Sequence, residues 1–219
     1  EDALEQFDVV IFPGGSGHEQ AEGLQESGRE AVRQFVRRGG GYVGVCAGAY
    51  LATSNYSWSL GLVNADSIDR SHWRRGKGQV RIELTPRGRE LFEGADSSRL
   101  SIHFQNGPLF APAGSADLPS YTVLAWYRTG IGRGDVDPGT MVDTPAIVMG
   151  RFGKGRAFAF SPHPDKTEGL HGMLVRAVRE VWPDDRPVAI RLSATDWLGE
   201  TAWTAEATAR LAAELTDIG

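Results

Sequence analysis

Tyr42-Val43-Gly44-Val45-Cys46-Ala47-Gly48-Ala49-Tyr50 is the stretch on which the fold turns. Residues 42–45 are an apolar run of the kind a buried strand makes, and the small residues 47–52 favour the start of a helix. Between them sits the chain's only cysteine, flanked by Gly44 and Gly48 in a Gly-x-Cys-x-Gly spacing. The same spacing around a serine makes a nucleophile elbow, a sharp strand-to-helix turn. Such a turn strains the backbone at its central residue, so its neighbours must be nearly free of side chains. It also aims the amide of the next residue, Ala47, at an oxyanion forming on a bound carbonyl. A helix N-terminus beneath the sulfur favours thiolate, the nucleophilic form. A lone cysteine is ordinarily a small buried hydrophobe. The two glycines and the strand-to-helix setting are what argue for a nucleophile here.

Working outward, Asp8-Val9-Val10-Ile11-Phe12 is a continuous apolar run, the mark of a strand covered on both faces. It empties into Pro13-Gly14-Gly15-Ser16-Gly17. That loop lacks the lysine of a phosphate loop and the spacing of a dinucleotide fingerprint. Its expected use is to bring backbone N–H groups to a neighbouring site, with Gly15 as the second oxyanion donor beside Ala47 and Gly14 in the pocket. Residues 30–38 show a helical stripe of Ala31, Val32, Phe35 and Val36, stopped by Gly39-Gly40-Gly41. Strand, loop, helix and strand in that order predict a right-handed parallel crossover, hence an α/β fold. Residues 55–75 read as an irregular, aromatic excursion. Further strands are predicted over 79–84, 101–104, 121–127, 146–149 and 156–161.

A thiol nucleophile needs a base, and the base an orienting acid. His163 lies just past the end of the strand at 156–161, held between Pro162 and Pro164, with Asp165 two residues on. Glu168 is the rival carboxylate. Cys46, Gly15 and His163 all fall at strand ends, where parallel sheets gather their ligands. His103 and Asn106 are further pocket candidates. The remaining histidines, His18, His72 and His171, form no metal-like cluster and read as structural or surface groups, so no metal is expected.

The chain of 219 residues suits one domain, or one plus a fragment. It is 41% hydrophobic and 23% charged with a net charge of -5, which gives no electrostatic reason to expect nucleic acid as a partner. No apolar run is long enough to span a bilayer, so no membrane segment is expected. A single cysteine excludes an internal disulfide and fits a reducing, cytoplasmic setting. The chain opens at Glu1 without an initiator methionine, so sequence upstream of it is expected and a targeting segment there stays open.

Phe12-Pro13-Gly14-Gly15, Gly44-Val45-Cys46-Ala47-Gly48-Ala49-Tyr50, Asn106-Gly107-Pro108 and Phe160-Ser161-Pro162-His163-Pro164-Asp165-Lys166-Thr167 together resemble the class I glutamine amidotransferase-like superfamily. Within it, residues 1–172 are most similar to the biotin–protein ligase N-terminal domain-like group. The resemblance implies a flavodoxin-like three-layer sandwich with a mostly parallel sheet. It also implies a Cys-His-acid triad in which Cys46, His163 and Asp165 take the nucleophile, base and acid positions. Tyr50 stands where glutamine amidotransferases usually carry glutamine, which puts glutamine as the substrate in question. Asp165 stands where glutamate is usual, so the carboxylate reaches about one methylene less far. The strand and helix with which the superfamily begins are not found, and are expected upstream of Glu1.

Residues 173–219 read as a tail, with a helix over 174–182, a strand over 187–192 and a helix capped by Thr204. Arg191-Leu192-Ser193-Ala194-Thr195-Asp196-Trp197 resembles one inner strand and loop of the flavin-dependent Old Yellow Enzyme family, a (β/α)₈ barrel. One such unit cannot enclose FMN, so no organic cofactor is expected. The tail is expected either to add an edge strand to the sheet or to lie as an appendage. Three functions follow: a cysteine-dependent hydrolase acting on a small amide, a catalytically silent binding or regulatory domain, and, ranked last, the remnant of an FMN-dependent oxidoreductase. The oligomeric state is not encoded in any of these features.

Overall fold

A computed structural model describes residues 4–92 and 98–182. Strand β1 (Val9–Phe12) leads through helix α1 (Gly17–Arg38) to strand β2 (Gly41–Val45), and the two strands pair in parallel, Val9 opposite Gly41 and Phe12 opposite Gly44. This is the crossover the sequence predicts. Ser16 starts α1 by accepting the Glu19 N–H at 3.3 Å. Gly39, at φ 126°, ends it, with the Gly39 and Gly40 amides returning to the Val36 and Phe35 carbonyls. The helix begins earlier than its apolar stripe because its first half is polar, and a break at Gln25 (φ 58°) separates the halves.

Helix α2 (Ala47–Ala52) follows β2 directly. Strand β3 (Ala65–Ile68) lies inside the aromatic excursion and pairs antiparallel with β6 (Leu109–Pro112) in a small separate sheet. The main sheet is completed by β4 (Lys77–Leu84), β5 (Arg99–Gln105), β7 (Thr122–Tyr127), β8 (Pro145–Phe152) and β9 (Gly155–Phe160). Its seven strands run in the order β1-β2-β9-β8-β7-β4-β5. Helix α3 (Pro86–Leu91) sits between β4 and β5, and α4 (Gly172–Val181) closes the described chain.

The α/β sandwich is the expected one, with a refinement of its sheet. β1, β2 and β9 are parallel, whereas β9-β8, β8-β7, β7-β4 and β4-β5 are antiparallel. The sheet is therefore mixed rather than parallel throughout. An apolar run reports burial but not direction, and the short connection from β8 to β9 through Gly153-Lys154 permits only a hairpin.

Side chains alternate across the central strands to make the layers. Tyr42, Ala157 and Ala159 face α1 and α2, together with Val32, Phe35 and Val36. Val43, Val45, Phe158 and Phe160 face the opposite way, onto Met173, Ala177, Val178 and Val181 of α4 and Leu91 of α3. Burying each large apolar side chain there contributes about 1.5–3 kcal/mol. Because β1, β2 and β9 run the same way, Phe12, Val45 and Phe160 end side by side, and the loops that follow them converge on one edge. The strand and helix expected over 187–219, and with them the Old Yellow Enzyme resemblance, lie outside the described residues.

Candidate active site

Cys46 sits at the tip of that convergence in a strained conformation, φ 51° and ψ −96°. It lies in the left-handed half of backbone space that L residues rarely occupy. Its amide donates to the Phe160 carbonyl at 2.8 Å, and the Tyr50 amide donates to its carbonyl at 3.0 Å, so both sides of the turn are pinned. Gly44 and Gly48 make the turn sterically feasible. A Cβ on Gly44 would lie 2.4 Å from the Gly48 carbonyl oxygen, and one on Gly48 would lie 2.2 Å from that of Phe12. The Tyr42 hydroxyl, buried in the layer below, donates to the same Gly48 carbonyl at 2.7 Å.

His163 begins a short turn of 3-10 helix after β9 and is buried, its side chain only 2% exposed. Its amide donates to the His103 carbonyl at 2.7 Å, and its carbonyl accepts the Thr167 hydroxyl at 2.8 Å. The Thr167 oxygen in turn accepts the His103 amide at 2.9 Å, which locks the loop to β5. Nδ1 faces Asp165, 3.1 Å from Oδ1 and 3.4 Å from Oδ2. The other ring nitrogen, Nε2, is buried without a hydrogen bond of ordinary geometry. A Cβ placed on Gly14 would lie 2.8 Å from His163 Cε1 and 3.8 Å from Cys46 Cβ. Imidazole and thiol thus share the space that Gly14 leaves open.

The charge state of His163 follows from its neighbours. Burial is the largest influence and opposes the charged ring. The hydrogen bond to Asp165 and the nearness of the Cys46 sulfur outweigh it, lifting the imidazole from its ordinary 6.5 to about 9. A folded value above the unfolded one means that protonation stabilises the fold. That contribution is complete below pH 6.5 and is lost as pH rises through about 9. Thermal melts of the protein and of His163→Gln are expected to converge across that window. A gap between them that stays constant from about pH 6 to 10 would contradict it.

The Cys46 Sγ–H donates to the Gln105 carbonyl at 3.2 Å. That carbonyl is held in place by the Asn106 turn. Asn106 stands at φ 52°, its amide donates to the Gly76 carbonyl at 3.0 Å, and its Oδ1 accepts the Gly76 amide at 2.9 Å. Gly107 packs so closely on Ser161 that a Cβ there would lie 2.1 Å from the Ser161 carbonyl oxygen.

Cys46 and His163 open into a cavity of about 970 Å³, lined also by Gly14, Gly15, Tyr50 and Asn106. Gly15 has φ 139° and free space on its open side. Ala47 is buried at the first position of α2, next to the sulfur. Gly15 thus shares the cavity lining with Cys46, and Ala47 follows Cys46 in the chain. His103 and Glu168 do not line the cavity: His103 supports His163 from behind, with ring centroids 5.9 Å apart. The carboxylate that meets Nδ1 is that of Asp165. Gln105, Trp58, Arg70 and Lys166 line the cavity without having been singled out in the sequence. The concentration of aromatic residues in the 55–75 excursion is the signal that points toward Trp58 and Tyr56. His18, expected at the surface, is half-exposed at the cavity rim. Among the described residues no group of three or more His, Cys, Asp or Glu side chains is arranged to hold a metal ion. No described helix is long and apolar enough to cross a membrane.

The sandwich and its elbow define the class of fold, an α/β sandwich with a cysteine at the strand-to-helix turn of a central strand. Solved structures share the fold at low identity. PurLQS from Thermotoga maritima matches with a TM-score of 0.55 and 18% identity, over 83% of this chain and 81% of that one. A putative GMP synthase component from Thermoplasma acidophilum matches with a TM-score of 0.51 and 12% identity, over 81% of this chain and 74% of that one. A cytoplasmic protein from Salmonella typhimurium matches with a TM-score of 0.52 and 13% identity, over 83% of this chain and 74% of that one. No curated protein matches the chain significantly in sequence. The family described as "Biotin-protein ligase, N terminal" matches residues 4–180, and the chain belongs to it.

Proposed function

We propose that the protein is a cysteine-dependent hydrolase acting on a small amide, with Cys46 as nucleophile, His163 as base and then acid, and Asp165 as its orienting carboxylate. One observation carries the reading: His163 presents Nδ1 to Asp165 and keeps buried Nε2 free of any other hydrogen bond of ordinary geometry, in a cavity shared with the Cys46 sulfur that interacts with the ring. In the first step the thiol proton already rests on Nε2 of the His163 imidazolium, and the sulfur attacks the amide carbonyl as thiolate. The Gly15 and Ala47 amides receive the oxyanion. Collapse of the adduct expels ammonia, which takes the proton from Nε2 and leaves a thioester. Water, deprotonated by the same nitrogen, then cleaves the thioester to the acid and restores the thiol.

Asp165 is an adequate orienter despite its short side chain because it lies two residues from the imidazole on the same turn, so the reach needed is small. The direct test is ammonia release from a panel of small primary amides, with His163→Ala expected to lower the rate about 10³-fold. Unchanged ammonia release in that variant would contradict the reading. Gly14→Ala is expected to lower kcat/KM about 100-fold without loss of fold. Its methyl would push the imidazole by a fraction of an ångström to an ångström, and displacements of that size cost about that much. A wild-type rate in Gly14→Ala would mean that the imidazole position is not used.

The silent-domain alternative draws on Tyr50. Its phenol is kept protonated by burial and stands near Cys46, so it takes up space that a substrate would otherwise use. Binding without turnover in the amide panel would favour that alternative.

A further inference from the structure

The aromatic part of the cavity lining bears on what the cavity accepts. Tyr56 and Trp58 stack with centroids 4.5 Å apart and planes 25° apart, and Tyr50 meets Tyr56 edge-on at 5.9 Å. Trp58 is held against the glycine loop, since a Cβ on Gly17 would lie 3.1 Å from its ring. Trp73, 46% exposed, also lines the cavity. At about 970 Å³ the cavity stands at the upper end of the roughly 300–1,000 Å³ range of sites that enclose drug-sized ligands.

Its charge is one-sided. Arg70 and Lys166 line it, and no aspartate or glutamate is among the lining residues. This holds in a chain whose net charge is -5. Carboxylates that pair with residues in or beside the lining are engaged, Asp69 by Arg75 and His72, Asp165 by His163 and Glu22 by His18. Arg70 is fixed at the rim, its guanidinium 4.2 Å above the Tyr56 ring and its Nη1 donating to the Asn55 carbonyl at 2.9 Å. The ammonium of a free amino acid such as glutamine would meet no aspartate or glutamate in the lining, whereas a carboxylate would meet Arg70 or Lys166.

We infer that the substrate is a primary amide with a planar, aromatic body and a carboxylate, the body lying against the aromatic lining of Tyr50, Trp58 and Trp73 and the carboxylate on Arg70. The inference rests on the hydrolase reading for the word substrate, but its test reads binding. Cys46→Ala protein, which cannot turn the amide over, would be titrated by calorimetry with 4-carboxybenzamide, benzamide, 4-(aminomethyl)benzamide and L-glutamine. The carboxylate compound is expected to bind about tenfold more tightly than benzamide, the size of one charge-assisted hydrogen bond at a partly screened rim. Benzamide is expected to bind more tightly than the aminomethyl compound and than glutamine. Arg70→Gln in the same background should bring the carboxylate compound down to benzamide's affinity, with an unchanged thermal midpoint reporting that the fold is intact. Equal binding of all four compounds, tighter binding of the aminomethyl compound or of glutamine, or a preference that survives Arg70→Gln would overturn the inference. The selective binding with no ammonia released by the unsubstituted protein would defeat the hydrolase reading and leave the recognition standing. Ammonia released without regard to charge would do the reverse.

Discussion

Cys46→Ala is expected to lower ammonia release by about 10⁴-fold or more, with the fold retained. Removing the nucleophile from a triad leaves only binding and oxyanion stabilisation, and losses of this order or larger are seen when that happens. Cys46 is the chain's only cysteine, so no neighbouring thiol can substitute for it. The fold should tolerate the change because alanine bears the same backbone strain at φ 51° that cysteine already bears, and only one heavy atom is removed from a side chain that borders both the core and the cavity. What remains in its place is the Gln105 carbonyl, which loses one thiol donor and gains access to water in the cavity. The assay is ammonia release alongside a thermal melt. An alanine variant that keeps a tenth of the activity would show that the sulfur does not attack.

The second large effect falls on stability. Gly48→Ala is expected to cost about 3 kcal/mol or more, enough to unfold a domain of ordinary stability in part or whole. The added methyl would sit 2.2 Å from the Phe12 carbonyl oxygen and 2.7 Å from Phe12 Cβ, well inside contact distance. Neither neighbour is the free end of a flexible side chain. Phe12 is the last residue of β1, paired with Gly44 of β2, and its ring stacks on Tyr42 at 5.4 Å. Relief therefore requires α2 to lift from the sheet, which breaks the turn that carries Cys46. Gly23→Ala is the control. It lies in α1 with nothing within 4 Å of the new methyl, and is expected to be neutral or to stabilise by about 0.5–1 kcal/mol. Urea denaturation distinguishes them: the midpoint should fall sharply for the first and not for the second. Equal midpoints would mean that α2 is not held as tightly against β1 as the structure has it.

Much of the site is legible in the sequence because its parts are local. The elbow is a short run in which strand, two glycines, cysteine and small residues each have one physical reason to be there. The His163–Asp165 pair is legible for the same cause, being two residues apart on a proline-stiffened turn. What is not legible depends on distant parts of the chain meeting. The Gln105 carbonyl carries no side-chain signature, and its place against Cys46 arises from the Asn106 turn and the pairing of β4 with β5. Arg70 and Trp58 lie in an excursion without hydrophobic periodicity, so nothing in the sequence assigns them a direction. The first half of α1 escapes a reading by periodicity because it is largely polar, and the antiparallel half of the sheet because strand direction leaves no mark on an apolar run. His103 shows the converse. Its neighbourhood in sequence looks pocket-like, yet the residue acts through its carbonyl, holding His163 from behind.

The account stands on a working partnership between one sulfur and one imidazole, and the rate at which iodoacetamide alkylates Cys46 near neutral pH reports that partnership without knowledge of the substrate. Reaction at least about tenfold faster than a small free thiol, falling to the free-thiol rate in His163→Ala, is the predicted result. Alkylation no faster than a free thiol in the unsubstituted protein, and unchanged by His163→Ala, would contradict it.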